Sequence, residues 1–153
     1  MVKLMDRDRK YYDLARYIAD EFSKDPSTKV GAVLVGTDRR LVAFGYNGFP
    51  PAVRDLPERL ADRDAKLKLT QHAERNVMDN ARFPTEGATL YVTGFPCSEC
   101  CKSVSSKGIR RVVCPAESSE PRMSREPWAS DARWSRLILE ESGVELVEVG
   151  PAG

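Results

Sequence analysis

Histidine is almost absent from this sequence, which has a single one, His72, among 153 residues. A site that needs two imidazole ligands is therefore excluded. An excess of one charge is also lacking, because 24 Lys and Arg stand against 23 Asp and Glu, a formal net charge of +1. This balance argues against a surface dominated by binding to nucleic acid or to an acidic membrane.

Long apolar segments are missing as well. No uninterrupted apolar run approaches the roughly 20 residues of a transmembrane helix, and the charged residues 1–12 contain no apolar core of a secretory signal. We therefore expect a cytoplasmic protein without a membrane partner. The length predicts a single domain over residues 1–153, and 41% hydrophobic with 31% charged residues is typical of a globular chain.

Hydrophobic periodicity predicts the element order α-β-β-α-β-α-β-α-β. The predicted helices cover residues 11–22, 70–82, 97–107 and 131–142, and the predicted strands cover residues 30–35, 41–46, 89–93, 112–113 and 144–149. The first two strands are predicted to form an antiparallel hairpin. The order indicates an α/β fold, a three-layer α-β-α sandwich around a five-stranded mixed sheet. Residues 47–64 and 115–129 lack periodicity and contain three prolines each, which is typical of functional loops.

The cysteines are the chemically informative residues. Cys97, Cys100, Cys101 and Cys114 are clustered, and clustered cysteines in a reducing compartment bind metal or perform redox chemistry more often than they form disulfides. His72 and Cys97 each lie near the start of a predicted helix, so both helix N-termini can meet at one edge of the sheet. A helix N-terminus lowers a thiol pKa and disfavours imidazolium, and thiolate and neutral imidazole are the forms that bind zinc.

Three ligands, His72, Cys97 and Cys100, would leave a fourth position for water, as in a catalytic zinc site. Glu74 is not an obvious fourth ligand and is placed to move protons. Two alternatives remain open: a redox Cys-x-x-Cys dithiol, and a closed structural zinc site completed by Cys101 or Cys114. Glu74 favours the open site, because a closed site has no need of that carboxylate.

The sequence resembles the deoxycytidylate (dCMP) deaminase branch of the cytidine deaminase superfamily. The zinc deaminase signature H-x-E…P-C-x-x-C is matched at every position by His72, Glu74, Pro96, Cys97 and Cys100. Further segments that resemble this branch lie at residues 25–32, 45–50, 72–76, 87–93 and 95–100. Together they cover about residues 10–114, and the fold of the family is the mixed five-stranded sheet predicted above.

The resemblance implies zinc ligands, a proton shuttle and substrate contacts. The implied ligands are His72, Cys97 and Cys100, the implied shuttle is Glu74, and the implied substrate contacts are Asn47 on the sugar side and Ser27 and Lys29 near the phosphate end. The implied reaction is the Zn²⁺-dependent hydrolysis of a free cytosine nucleotide, dCMP first, to the uracil nucleotide and ammonia. Superfamily members commonly form dimers, tetramers or hexamers, so homo-oligomers are expected too.

Two stretches depart from the family pattern. Residues 51–55 replace a Gly-Cys-Ser-Asp-Asp-like segment, and residues 115–129 replace a Tyr-His-Asp element. The preferred nucleotide and regulation by dCTP or dTTP therefore stay open. Trp128 is interpreted either as an anchor for the last helix or as a stacking surface for a base.

Two other functional hypotheses are retained. One is a deaminase of a different nucleotide, of a free base or of a base within a nucleic acid, although the pairs Arg39-Arg40 and Arg110-Arg111 are too small to favour nucleic-acid binding. The other is a non-catalytic, zinc-stabilised binding module.

Overall fold

A five-stranded mixed sheet of order β2-β1-β3-β4-β5 organises the computed structural model, which describes residues 4–150. The strands are β1 (Gly31–Val35), β2 (Val42–Tyr46), β3 (Thr89–Val92), β4 (Arg111–Pro115) and β5 (Glu145–Val149). The helices are α1 (Asp6–Phe22), α2 (Pro57–Ala61), α3 (Arg63–Leu69), α4 (Ala73–Asn80), α5 (Ser98–Ser106) and α6 (Trp128–Glu141). The prediction of an α/β fold with this sheet is confirmed.

The central strands β1, β3 and β4 are buried on both faces, and their alternate residues belong to two separate cores. Val33, Val35, Tyr91 and Val113 pack with α1 on one face. Their neighbours Ala32, Leu34, Leu90, Val92, Val112 and Cys114 pack with α4, α5 and α6 on the other. Because successive strand residues point to opposite faces, this alternation produces the three-layer sandwich.

Two glycines let helices approach the sheet closely. A Cβ atom on Gly45 would lie 2.6 Å from the backbone nitrogen of Val77 in α4, and one on Gly31 would overlap the backbone oxygen of Ala15 in α1. The β2 backbone therefore touches α4 directly, and this fixes the position of the helix that begins beside His72.

Strand directions bring the two signature segments together. β2 and β3 run antiparallel to β1, as the predicted hairpin requires for β2, whereas β3, β4 and β5 are parallel. The carboxyl end of β3 leads directly into α5, and α4 begins at the same edge of the sheet. None of the helices described between residues 4 and 150 is both long and apolar enough to span a bilayer.

Several element boundaries differ from the predictions. The region 47–64, predicted to be irregular, contains α2 and the start of α3. α4 begins three residues later than predicted, because Gln71 pairs with Gly48 in an isolated β-bridge and is held extended. Residues 115–129 form two 3₁₀ turns, over residues 117–119 and 121–124, before α6.

Asp131 does not cap the last helix. α6 starts three residues earlier, at Trp128, and Asp131 lies within its first turn. The Asp131 carboxylate instead accepts hydrogen bonds from the backbone nitrogen and hydroxyl of Ser98, at 2.9 and 2.6 Å. Asp131 therefore satisfies a backbone donor at the start of α5, the helix that carries the cysteines.

Candidate metal centre and its cavity

The three predicted ligands meet in space. His72 is the residue preceding α4 and Cys97 the residue preceding α5, while Cys100 lies in the first turn of α5. The His72 Nδ1 atom is 3.5 Å from the Cys97 Sγ atom and 3.4 Å from the Cys100 Sγ atom. Among the residues that the structure describes, these three form the one cluster of at least three such side chains close enough to hold an ion.

The spacing of these atoms fits a zinc ion. Zn–S bonds of about 2.3 Å and Zn–N bonds of about 2.0–2.1 Å at tetrahedral angles put a sulfur and a nitrogen ligand about 3.6 Å apart. The observed distances of 3.5 and 3.4 Å lie close to that value. Two thiols and one imidazole are also a donor set that zinc prefers, so the cofactor prediction is confirmed.

Electrostatics favour a cation at this cluster. Hydrogen bonds from the Cys100 thiol, the His72 ring and the Cys100 backbone lower the pKa of Cys97 far below its ordinary value. The pKa of His72 is raised to about 9, chiefly by its hydrogen bond to the Cys97 sulfur. The helix N-terminus was expected to lower the pKa of His72, but the hydrogen bond to the Cys97 sulfur has the stronger effect and raises it. The same negative charge attracts a metal ion in place of the proton.

Glu74 is buried beside the cluster. It lies in the first turn of α4, is 5% exposed, and lines the same cavity as His72 and Cys97. Burial raises the pKa of its carboxyl above the ordinary value. A carboxyl group with a raised pKa exchanges protons more readily near neutral pH, which is the property required of a general acid and base.

Cys101 and Cys114 are packed in the core and are no part of the cluster. Both are fully buried, and Cys101 Sγ lies 3.9 Å from the Pro96 oxygen as a weak donor. Burial raises the pKa of Cys101 to about 12 and that of Cys114 well above its ordinary value. Because neither sulfur belongs to the cluster formed by His72, Cys97 and Cys100, the geometry favours the open three-ligand site over a closed four-ligand one.

The cluster opens into a cavity of about 260 Å³. Its walls come from the segment that follows α1, from α3, from the start of α4 and from residues 94–128. The lining includes Asp25, Ser27, Asn47, Arg63, Lys66, His72, Glu74, Phe95, Cys97, Arg122, Arg125 and Trp128. Trp128 both lines this cavity and packs against the main core, so the structure accommodates both interpretations of that residue.

Asn47 is held by structural hydrogen bonds at the cavity wall. Its Oδ1 atom accepts from Ser23 Oγ at 2.7 Å and from the Val30 nitrogen at 2.9 Å, and its Nδ2 atom donates to the Thr28 oxygen at 2.8 Å. A carboxamide has two acceptor lone pairs and two N–H donors. One Nδ2 hydrogen is therefore left for a ligand.

Ser27 and Lys29 occupy different surroundings. Ser27 lines the cavity, where its hydroxyl accepts from Lys66 Nζ at 2.7 Å and donates to Asp25 at 3.2 Å. Lys29 is not among the described residues that line the cavity, and its Nζ atom donates to the Ser23 oxygen at 2.6 Å.

Sequence reasoning missed a pair of residues that holds the cysteine loop. Glu120 Oε1 accepts the backbone N–H of Phe95, and Arg122 Nη2 donates to the Phe95 oxygen at 3.1 Å. Glu120 and Arg122 also bond to each other at 3.2 Å. Both lie in the irregular region 115–129, and no periodicity marks them. An acidic and a basic residue two positions apart in a turn do not indicate a role by themselves. Only the fold shows that these two side chains bind the backbone of Phe95.

Comparison with known proteins agrees with this geometry. A family model described as the cytidine and deoxycytidylate deaminase zinc-binding region matches residues 5–116. A protein of Aliivibrio fischeri named "Uncharacterized deaminase in luxG 3'region" is 36% identical over 138 residues, which cover 90% of each chain. The deoxycytidylate deaminase of Mus musculus is 37% identical over 148 residues, which cover 93% of this chain and 79% of the mouse chain.

A solved structure shares the fold. The dCMP deaminase from the cyanophage S-TIM5, in complex with dCMP and dUMP, superposes with a TM-score of 0.70 over 96% of this chain and 100% of that chain. The sequence identity is 21%, so the likeness concerns the architecture.

Proposed function

The chain belongs to the zinc-binding cytidine and deoxycytidylate deaminase family, and from this membership we propose that it hydrolyses free dCMP to dUMP and ammonia. The observation that carries the proposal is a three-ligand metal cluster that shares one cavity with a buried carboxyl group, Glu74. A non-catalytic zinc module has no need of that carboxyl group or of a cavity beside it.

His72, Cys97 and Cys100 would hold the zinc ion, which would supply Lewis-acid activation of a water molecule, with its pKa brought to about 7. Glu74 accepts a proton from the attacking water and passes protons to N3 of the base and to the departing amino group. The C4–O bond forms first, as N3 gains a proton, and the C4–N bond then breaks as the protonated amino group leaves. The products are the uracil nucleotide and ammonia. No oxidant or reductant is required.

The rest of the cavity holds the nucleotide. Asn47 donates its remaining Nδ2 hydrogen to an oxygen of the sugar, and Ser27 lies on the same wall. Trp128 offers a flat surface for the base. Lys29 acts indirectly, because its ammonium group holds the Ser23 oxygen while the Ser23 hydroxyl bonds to Asn47.

The test is Glu74→Gln, which preserves size but removes the titratable proton. We expect the variant to retain zinc and to lose a factor of about 10²–10⁴ in kcat, measured as loss of cytosine absorbance with ammonia release. Glu99→Gln is the matched control, because Glu99 is exposed on α5 and pairs only with Lys102 among the described residues. An active Glu74→Gln variant contradicts the mechanism.

A substrate panel tests the choice of nucleotide. Zinc-loaded protein is assayed with dCMP, dCTP, deoxycytidine, cytidine, cytosine and guanine, and with single-stranded DNA and tRNA. The proposal requires the highest kcat/KM for dCMP. Turnover restricted to nucleic acid, or to another base, would replace dCMP as the substrate.

Self-association and a cytoplasmic location complete the proposal. The edge strand β2 and the end of α1 expose a group of large apolar side chains, Phe22, Leu41, Val42 and Phe44, and exposed apolar edges of this kind are typical of interfaces. Light scattering should detect homo-oligomers, and Phe44→Lys should dissociate them. A reducing compartment suits the thiol ligands, and fractionation of cells checks the location.

A further inference from the structure

We propose that Arg63 and Arg125 form a two-sided clamp for the 5′-phosphate of the substrate and make the site selective for a nucleotide over a nucleoside. This inference rests on the proposed function, because it assigns the phosphate-binding residues of the same site.

Two of the four cations that line the cavity are already neutralised. Lys66 Nζ lies 3.0 Å from the Asp25 carboxylate, and these two side chains are only 14% and 10% exposed. Arg122 bonds to Glu120 and to the Phe95 oxygen. Both cations are therefore paired within the protein, and they add little net positive charge to the cavity.

Arg63 and Arg125 are different. Within residues 4–150, neither side chain has a hydrogen bond or an ion pair, although both line the cavity and both are exposed. Two uncompensated positive charges at a cavity that also contains Glu74 attract an anion rather than a neutral ligand. A phosphate monoester carries close to two negative charges at neutral pH, which matches the two guanidinium groups.

The two arginines come from separate parts of the chain. Arg63 is the first residue of α3, and Arg125 directly follows the 3₁₀ turn over residues 121–124. Each therefore belongs to one of the two stretches that lack hydrophobic periodicity. A guanidinium group presents a planar fork of N–H donors that binds two phosphate oxygens at once, so two such groups can satisfy one phosphate.

The residues first expected at the phosphate end are less available. The Ser27 hydroxyl hydrogen is used by Asp25, and the hydroxyl oxygen accepts from Lys66. Lys29 lies outside the cavity lining among the described residues. Recognition of the phosphate therefore falls mainly to the two free arginines.

The experiment compares Arg63→Gln, Arg125→Gln and the double variant with the wild-type holoenzyme. We expect each single change to lower kcat/KM for dCMP about 10- to 100-fold, mainly through KM, because each removes charge-assisted hydrogen bonds to the phosphate. Calorimetry should show the same loss of affinity for dUMP and no comparable loss for deoxyuridine. Arg110→Gln is the control, because Arg110 is exposed at the start of β4 and is not among the lining residues described.

The outcomes separate this inference from the proposed function. If the wild-type protein deaminates dCMP and both arginine variants keep its KM, the clamp is wrong and the function stands. If it binds dUMP through the arginines but does not deaminate dCMP, the clamp stands and the reaction is wrong. A protein that neither binds dUMP nor deaminates dCMP overturns both.

Discussion

Replacing Glu120 by alanine tests whether the irregular region 115–129 positions the thiol ligands. Glu120 and Arg122 together bind both polar backbone groups of Phe95, two residues before Cys97. Glu120→Ala removes the acceptor of the Phe95 N–H and also the partner of Arg122. We therefore expect a less stable protein that releases its zinc more easily.

The expected magnitude follows from the two lost interactions. A hydrogen bond to a charged acceptor contributes about 1.5–3 kcal/mol, and Glu120, with a side chain 19% exposed, is partly screened. The ion pair with Arg122, whose side chain is 27% exposed, adds no more than about 1 kcal/mol. The sum is about 3 kcal/mol, which for a chain of this length lowers Tm by about 6–12 °C. Loss of a residue that orients ligands typically weakens metal binding about 10- to 100-fold.

Thermal unfolding followed by circular dichroism measures the stability, and competition with a chelator measures the retention of zinc. Glu120→Gln keeps an acceptor for the Phe95 N–H but loses the charge, so its effects should be intermediate. Glu141→Ala, at an exposed position near the end of α6, serves as control and should leave both quantities unchanged. A Glu120→Ala variant whose Tm and chelator midpoint match the wild type would refute the positioning role.

Three further predictions follow from the site and the core. Cys101→Ser should leave zinc stoichiometry unchanged in metal analysis whereas Cys97→Ser should abolish it, and zinc loss in both variants would indicate a closed four-ligand site. Burial alone would raise the pKa of Asp8, but the Arg111 guanidinium holds it below its ordinary value. The Asp8–Arg111 ion pair therefore stabilises the fold above about pH 4, and this stabilisation is lost as the pH falls through the folded-state pKa of Asp8. Urea unfolding of the wild type and of Asp8→Asn should differ by about 3 kcal/mol at pH 7, and the difference should shrink as the pH falls through the folded-state pKa of Asp8. A difference that stays constant on acidification would exclude the ion pair as the cause. Trp128→Ala should both raise KM for dCMP and lower Tm, and a change in only one of the two would assign the indole to one role.

The metal site could be predicted from the sequence because its geometry is local. His72 and Cys97 are each the residue before a helix, and Cys100 follows Cys97 by less than one turn. Such positions are set by helix geometry alone, so the signature carries them. The sequence also had to predict that the two helix starts meet at one edge of the sheet. The alternation of strands and helices was sufficient for that prediction.

The short helices α2 and α3 could not be predicted in the same way. Neither contains a buried residue, so neither shows the apolar stripe on which helix prediction depends. Asp62 caps α3 by accepting from the backbone nitrogens of Asp64 and Ala65. That capping signal is present in the sequence, but it stands among many charged residues with no periodic segment to follow it.

Asp131 shows a second limit of sequence reasoning. An acidic residue before a periodic segment is typical of an N-cap, yet this carboxylate bonds to Ser98 in another helix. Capping preferences say that the backbone donors at a helix start need an acceptor. They do not say whether that acceptor comes from the residue before the helix or, as for Ser98, from another helix. The assignment depended on the packing of α6 against α5, which only the fold establishes.

The region 115–129 combines two tasks that the sequence pattern does not separate. Glu120 and Arg122 hold the loop that carries Cys97, whereas Arg125 and Trp128 face the cavity. The Arg125 side chain has no hydrogen-bond or ion-pair partner among the described residues, so a substitution there changes the charge presented to a ligand and leaves the Phe95 contacts intact. A substitution at Arg122 would alter the cavity and the ligand loop together. Changes of substrate preference at unaltered zinc affinity are therefore expected from substitutions of Arg125, because its side chain makes none of the hydrogen bonds that hold Phe95.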